Sequence, residues 1–218
     1  MLKAVIFDMD GLMVDTEIIC FQVYKQILKD YNYDLTLKEY VEEFAGKPMK
    51  TSIENIKKRF QVPFKINEGI DLYTNIENNL FEKNGVSLKE GVIELLEYLK
   101  EHNYKIVIAT SSLPTRAKKI LKENHITHFF DDMVFGTDIQ RGKPFPDIFL
   151  KACEKLNIKL NEALVLEDSE AGIQAAYNAH IPVICIPDLK YPQEKYVKQT
   201  IKIYNTLLDV IPFIEKCF

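Results

Sequence analysis

Short unbroken apolar runs alternate with helix-period segments along most of the chain. Residues 4–7, 106–109 and 163–166 are rich in β-branched residues and lack polar alternation, which predicts strands covered on both faces. Residues 181–186 add a fourth run and 133–135 a shorter one. Between them, apolar positions recur every three or four residues. Residues 91–102 carry Val92, Leu95, Leu96 and Leu99 in this way, and 114–124 open on a proline whose missing N–H costs nothing in a first turn. Helices are also predicted at 148–156 and 171–178. Strands alternating with helices imply an α/β fold, a doubly wound parallel sheet.

One segment breaks the alternation. From Asp15 to Ser87 the pattern is helical, with Ile18, Ile19, Val23, Ile27 and Leu28 on one stripe. Helical stretches at 37–44, 53–60 and 70–81 follow, divided by Pro48, Pro63 and Gly69. The expectation is an all-helical insertion, 15–87, in a core made of 1–14 and 88–218. Its hinges fall near Leu12 to Val14 and near Ser87 to Gly91, with Gly91 the residue freest to absorb torsional change. Asp15 and Thr16 read as helix starters. The chain from Ile203 to Phe218 reads as a closing helix.

Composition narrows the function. At 218 residues and 47% hydrophobic, the chain can bury a core without a metal or disulfide staple. A net charge of −4 argues against nucleic acid as the main partner but leaves a small anion open, because a few local cations outweigh a weak global field. The four cysteines, Cys20, Cys153, Cys185 and Cys217, follow no metal-ligand spacing and read as reduced, mostly buried thiols. The first apolar run stops at Asp8, too short for a signal segment, and no stretch approaches the ~20 apolar residues of a membrane span. A soluble cytoplasmic monomer with no membrane partner is the default expectation.

Polar residues gather where the predicted strands end, the edge at which open α/β sheets bind ligands. The first strand runs into Asp8-Met9-Asp10-Gly11, whose two carboxylates start out on one face because residues two apart in a strand point the same way. The second delivers Thr110-Ser111-Ser112 just before a helix, so hydroxyls and free N–H groups there form a phosphate cradle. Ser112 either faces a phosphate or caps that helix before Pro114. A later strand ends in Glu167-Asp168-Ser169. Clustered carboxylates repel unless a cation sits among them, and hard oxygen ligands select Mg²⁺. Lys143, in Gly142-Lys143-Pro144, could hold a phosphate and offset the acids.

Taken in order, Phe7 to Gly11, Thr110 to Ser112, Gly142 to Asp147 and Leu166 to Ser169 resemble the four motifs of the haloacid dehalogenase-like superfamily. Within it the chain is similar to the beta-phosphoglucomutase-like phosphatases, whose helical cap is inserted after the first motif. The resemblance implies Asp8 as nucleophile and Asp10 as general acid and base. It implies Mg²⁺ held by Asp8, the backbone carbonyl of Asp10 and Asp168, with Glu167 as an extra ligand, direct or through water. Thr110, Ser111 and Lys143 would hold the phosphoryl oxygens. Members that cleave carbon–halogen or carbon–phosphorus bonds do not keep the second aspartate, so Asp10 points to phosphate esters.

The cap separates phosphatase from mutase. The mutase carries a histidine where this chain has Cys20, and an arginine where it has Met49. A thioether cannot pair with a phosphate, and Lys47 or Lys50 lacks the bidentate guanidinium fork. Lys47 reads equally as a substrate contact and as an exposed loop lysine. The expectation is therefore a phosphatase of a small phosphorylated metabolite, a sugar or nucleoside phosphate. The alternatives are a sugar-phosphate mutase and a catalytically silent protein that binds a phosphorylated ligand.

Overall fold

β-Branched side chains pack well on a pleated surface buried from both sides, and the apolar runs of this chain form such strands. The computed structural model describes residues 1–47 and 49–217. Its elements run β1 (Ala4–Phe7), α1 (Glu17–Lys29), α2 (Leu37–Glu43), α3 (Met49–Phe60), α4 (Ile66–Asn84), α5 (Val92–Glu101), β2 (Lys105–Thr110) and α6 (Pro114–Glu123). They continue as β3 (Asp132–Phe135), α7 (Asp147–Leu156), β4 (Ala163–Glu167), α8 (Glu170–Asn178), β5 (Val183–Cys185), α9 (Glu194–Val197), β6 (Lys202–Ile203) and α10 (Val210–Cys217). Two compact units result: Met1–Asp15 with the chain from Ser87 onward, and Thr16–Val86.

The first unit holds a six-stranded, wholly parallel sheet in the order β3-β2-β1-β4-β5-β6. The winding reverses beside β1, and open α/β sheets bind ligands outside the carboxyl ends of the strands at such a reversal. Every residue of β1 and β4 is buried. On one face Ala4, Ile6, Val107, Ala109 and Val165 pack with Ile148, Phe149 and Ala152 of α7 and Ile173 and Ala176 of α8. The alternate positions Val5, Phe7, Ile106, Ile108, Leu164 and Leu166 are equally buried. At roughly 1.5–3 kcal/mol for each fully buried large apolar side chain, this central layer is the main source of the core's stability.

In the second unit, α1 packs on α4 and α3 on α4. Tyr24 stacks on Phe44 at 5.4 Å and tilts against Tyr73 at 5.1 Å. The phenols of this cluster remain hydrogen-bonded: Tyr40 donates to Glu17 at 2.5 Å and Tyr73 to Cys20 Sγ at 3.0 Å. Burial pushes both hydroxyls well above the usual range. Among the described residues no helix is long and apolar enough to cross a membrane.

Several expectations need correction. Gly69 does not divide two helices: it lies inside α4, where a Cβ would stand 2.6 Å from Phe64 and 2.8 Å from Ile53. It marks close packing. Pro63 does lie between α3 and α4, while Pro48, the third predicted divider, and Phe218, the predicted helix end, lie outside the described residues. The closing helix starts only at Val210, because Lys202 and Ile203 pair with β5 as a short edge strand. Two residues carry no period by which to read them. Thr16 occupies the N-cap of α1 but in helical conformation, with no side-chain cap bond. Cys153 and Cys185 are buried, Cys20 is half-buried and Cys217 exposed.

The two predicted linkers pair with each other. The N–H of Asp15 donates to Ser87 O at 3.0 Å and that of Lys89 to Met13 O at 2.9 Å, while Leu12, Met13 and Val14 are fully buried. Gly91 has φ +84°, and a Cβ there would lie 2.5 Å from the backbone nitrogen of Leu208. Both the left-handed backbone and this close approach call for glycine here.

Candidate active site

Sheet register brings the site together. Phe7 stands opposite Ile108 on one side and Leu166 on the other, so the next residue, Asp8, emerges level with Glu167 at the carboxyl edge. The Asp8 N–H still donates to Leu166 O at 3.0 Å. The chain then turns: Met13 and Val14 both donate to Met9 O, and Gly11 adopts φ +82°. A Cβ on Gly11 would collide with the carboxylate of Asp168, so this turn needs glycine both for its backbone and for its neighbour.

Asp8, Glu167 and Asp168 present carboxylate oxygens within 4.8 Å of one another. The Lys143 ammonium donates to Asp8 Oδ1 and Glu167 Oε1, and lies 5.2 Å above the Phe149 ring. The other oxygen of Glu167 accepts from the N–H groups of Asp168 and Ser169 and from the Ser169 hydroxyl, each at 3.0 Å. Glu167 is thus a fully buried anchor for the turn from β4 into α8. Gly172 makes room for it, because a Cβ there would overlap its carboxylate.

Burial pushes the Asp8 carboxyl up to about 7, with Lys143 pulling it down and Glu167 pushing it up further. Burial also opposes the charge on Lys143, but Asp8 and Glu167 outweigh it and raise that ammonium. One buried cation against three close carboxylates leaves an excess of negative charge. The donors are all hard oxygens, so the set fits Mg²⁺.

Asp10 joins a different set. Its Oδ2 accepts from Ser112 Oγ at 2.7 Å, with Thr110 Oγ1 at 3.4 Å, and its Oδ1 accepts from Arg116 Nη1 at 2.6 Å. The turn after Phe7 sends the two aspartates to separate partners, so strand alternation does not describe them. Thr110, buried at the end of β2, also accepts the N–H of Ser112 at 3.0 Å. Ser112 does not cap α6, whose N-cap is Leu113. Ser111 is exposed on the same loop, and its carbonyl abuts Gly136 closely enough that a Cβ there would lie 2.8 Å away. Lys47 belongs to the other unit, exposed, with its ammonium on the carbonyl of Glu43.

Two residues of these sets were not singled out from the sequence, Arg116 and Gly172. Arg116 follows Ser112 by four residues, but nothing local to that segment shows that both reach Asp10, which is more than a hundred positions away. Gly172 sits three residues after the N-cap serine of α8 and gives no separate signal.

Known proteins bear on this arrangement. The sequence profile of the haloacid dehalogenase-like hydrolases matches residues 5–186, from β1 to just past β5. The chain belongs to the haloacid dehalogenase-like hydrolase family. Among relatives, a phosphorylated carbohydrates phosphatase of Thermotoga maritima is 34% identical over 83% of the chain and 82% of its own length. The beta-phosphoglucomutase of Bacillus subtilis is also 34% identical, over 82% of the chain and 80% of its own length. A crystal structure of a haloacid dehalogenase-like protein of unknown function from Agrobacterium tumefaciens superposes with a TM-score of 0.85 at 25% identity, covering 99% of each chain. All four strand-end motifs of this family member fall inside the matched span.

Proposed function

We propose that the protein is a Mg²⁺-dependent phosphatase of a small phosphorylated metabolite, acting through an aspartyl-phosphate. The observation that carries this reading is the buried Asp8 carboxylate, held at a strand end by Lys143 within reach of Glu167 and Asp168. Asp8 and Asp168, with the Asp10 carbonyl, would hold the ion, and Glu167 would support it from behind. Bound there, Mg²⁺ supplies positive charge that keeps Asp8 ionised and offsets the charge of the phosphoryl group.

In the first half-reaction an Asp8 oxygen attacks phosphorus. The ester P–O bond breaks, and the departing alkoxide takes a proton from Asp10. In the second, Asp10 takes a proton from water, whose oxygen attacks phosphorus as the Asp8–phosphorus bond breaks and inorganic phosphate leaves. Lys143, Thr110 and the backbone N–H of Ser111 orient the phosphoryl oxygens throughout.

Hydrolysis is favoured over a mutase reaction by two residues of the inserted unit, which we read as a cap. Cys20, at the mutase histidine position, is held by the Tyr73 hydroxyl. Met49 occupies the place of the arginine that would grip a second phosphate. The substrate class rests on the name of the Thermotoga relative and on the cap segment around Gly46 and Lys47, which resembles those of sugar-phosphate and nucleoside-phosphate phosphatases.

The test is hydrolysis of p-nitrophenyl phosphate with and without Mg²⁺, with Asp8→Asn as control. Turnover should require Mg²⁺ and fall at least a thousandfold in the variant. Wild-type activity no greater than that of Asp8→Asn would favour a silent binding protein. Isomerisation of a sugar 1-phosphate without phosphate release would favour the mutase.

A further inference from the structure

Asp10 does not hang free at the strand end. Arg116 Nη1 donates both to Asp10 Oδ1 at 2.6 Å and to Ser112 Oγ at 2.5 Å, and the Ser112 hydroxyl in turn donates to Asp10 Oδ2 at 2.7 Å. This closed ring ties down both carboxylate oxygens. Arg116 and Asp10 are only 21% and 29% exposed at their side chains, so the pair is not a solvated surface ion pair of negligible effect. The base of Arg116 is fixed as well: it sits in the first turn of α6, whose Ala117, Ile120 and Leu121 are buried in the core.

From this geometry we infer that Arg116 is a positioning residue for Asp10, setting through Ser112 the direction in which that carboxyl meets the leaving-group oxygen. The inference rests on the phosphatase reading, in which Asp10 hands a proton to the departing alkoxide. A misdirected acid harms esters in proportion to their need for that proton. An alkyl phosphate loses a strongly basic alkoxide and needs it. p-Nitrophenolate leaves readily without it. The ratio of kcat/KM for the two esters therefore reports how well Asp10 is aimed, whereas a general disturbance of the site would lower both alike.

The experiment compares wild type, Arg116→Ala, Arg116→Lys and Ser112→Ala on p-nitrophenyl phosphate and on the fastest alkyl phosphate found in a metabolite screen. Arg116→Ala should lower kcat/KM for the alkyl ester about ten- to a hundredfold more than for the aryl ester. Lysine keeps the charge but cannot close the same ring, so Arg116→Lys should restore only part of the loss. In an Asp10→Asn background, Arg116→Ala should have less than about a twofold further effect, as expected of two residues acting as one unit.

Equal losses on both esters, no loss, a gain on the alkyl ester, or an undiminished effect in the Asp10→Asn background would each overturn the inference. If Arg116→Ala does not fold, the ester ratio in Ser112→Ala and Arg116→Lys decides by the same criteria. Failure of the underlying reading shows in the wild type alone: if it hydrolyses no alkyl phosphate, that reading falls and this inference with it.

Discussion

Asp8 shows how a single residue can be set against its own charge. Its carboxyl sits at about 7 because burial removes water from it faster than Lys143 replaces that solvation. The fold holds this proton more tightly than an unfolded chain would, so Asp8 favours the metal-free fold at low pH, and that contribution is lost as pH rises through about 7. A cation among Asp8, Glu167 and Asp168 reverses the preference. Mg²⁺ affinity should therefore weaken as pH falls below about 7, by up to tenfold per unit, with close to one proton released on binding at pH 6. Calorimetry in buffers of different ionisation enthalpy measures both, and a flat affinity without proton release from pH 6 to 8 would remove Asp8 from the ligand set. Asp8, Lys143, Glu167 and Asp168 could be picked out from the sequence because each follows a strand or a loop between strands. Arg116 could not, since its meaning depends on a carboxylate more than a hundred positions away.

At the scale of elements, order is imposed by pairs that join segments distant in sequence. Lys89, in the linker before α5, forms an ion pair with Asp188 in the loop after β5. The Asp188 side chain is 7% exposed, and its second oxygen has no hydrogen-bond partner. Burial raises its carboxyl above the usual range, against the pull of Lys89. Lys89→Met would leave this acid buried without its cation, at a cost on the order of 3 kcal/mol, or roughly 2–4 °C in Tm for each kcal/mol. Protonation relieves the unpaired acid. The variant's raised Asp188 thus preserves stability at low pH and forfeits it as pH rises. Its Tm deficit should be smaller on the acid side than on the alkaline side, as read by thermal melts across a pH series. A deficit independent of pH would mean that Asp188 is not the group left behind. The strands β1, β2 and β4 were readable from unbroken apolar runs and helices α5 to α8 from their helical pattern, whereas β6 was not, being two residues with a lysine in an edge position.

For the whole molecule, phosphoryl transfer requires that substrate enter and that bulk water stay out while the aspartyl-phosphate forms. We expect the helical unit to close over the core when ligand binds. The radius of gyration in solution scattering should then fall on adding Mg²⁺ with a phosphate analogue, and superimposable profiles would exclude a large closure. Because the linkers pair through Asp15 with Ser87 and Lys89 with Met13, any such motion must leave this ladder intact or break its hydrogen bonds. What the sequence determined by itself is what depends on neighbours along the chain: strand and helix period, the helical insertion, and acids placed at strand ends. What only the tertiary structure decided is which of those groups meet. Parallel register put Asp8 beside Glu167, the turn at Gly11 sent Asp10 toward Ser112 and Arg116, and the missing Cβ of Gly172 let Glu167 lie under Asp168. Such contacts join atoms from separate segments, and their energies depend on burial and distance in three dimensions, quantities that no local pattern of residue types contains.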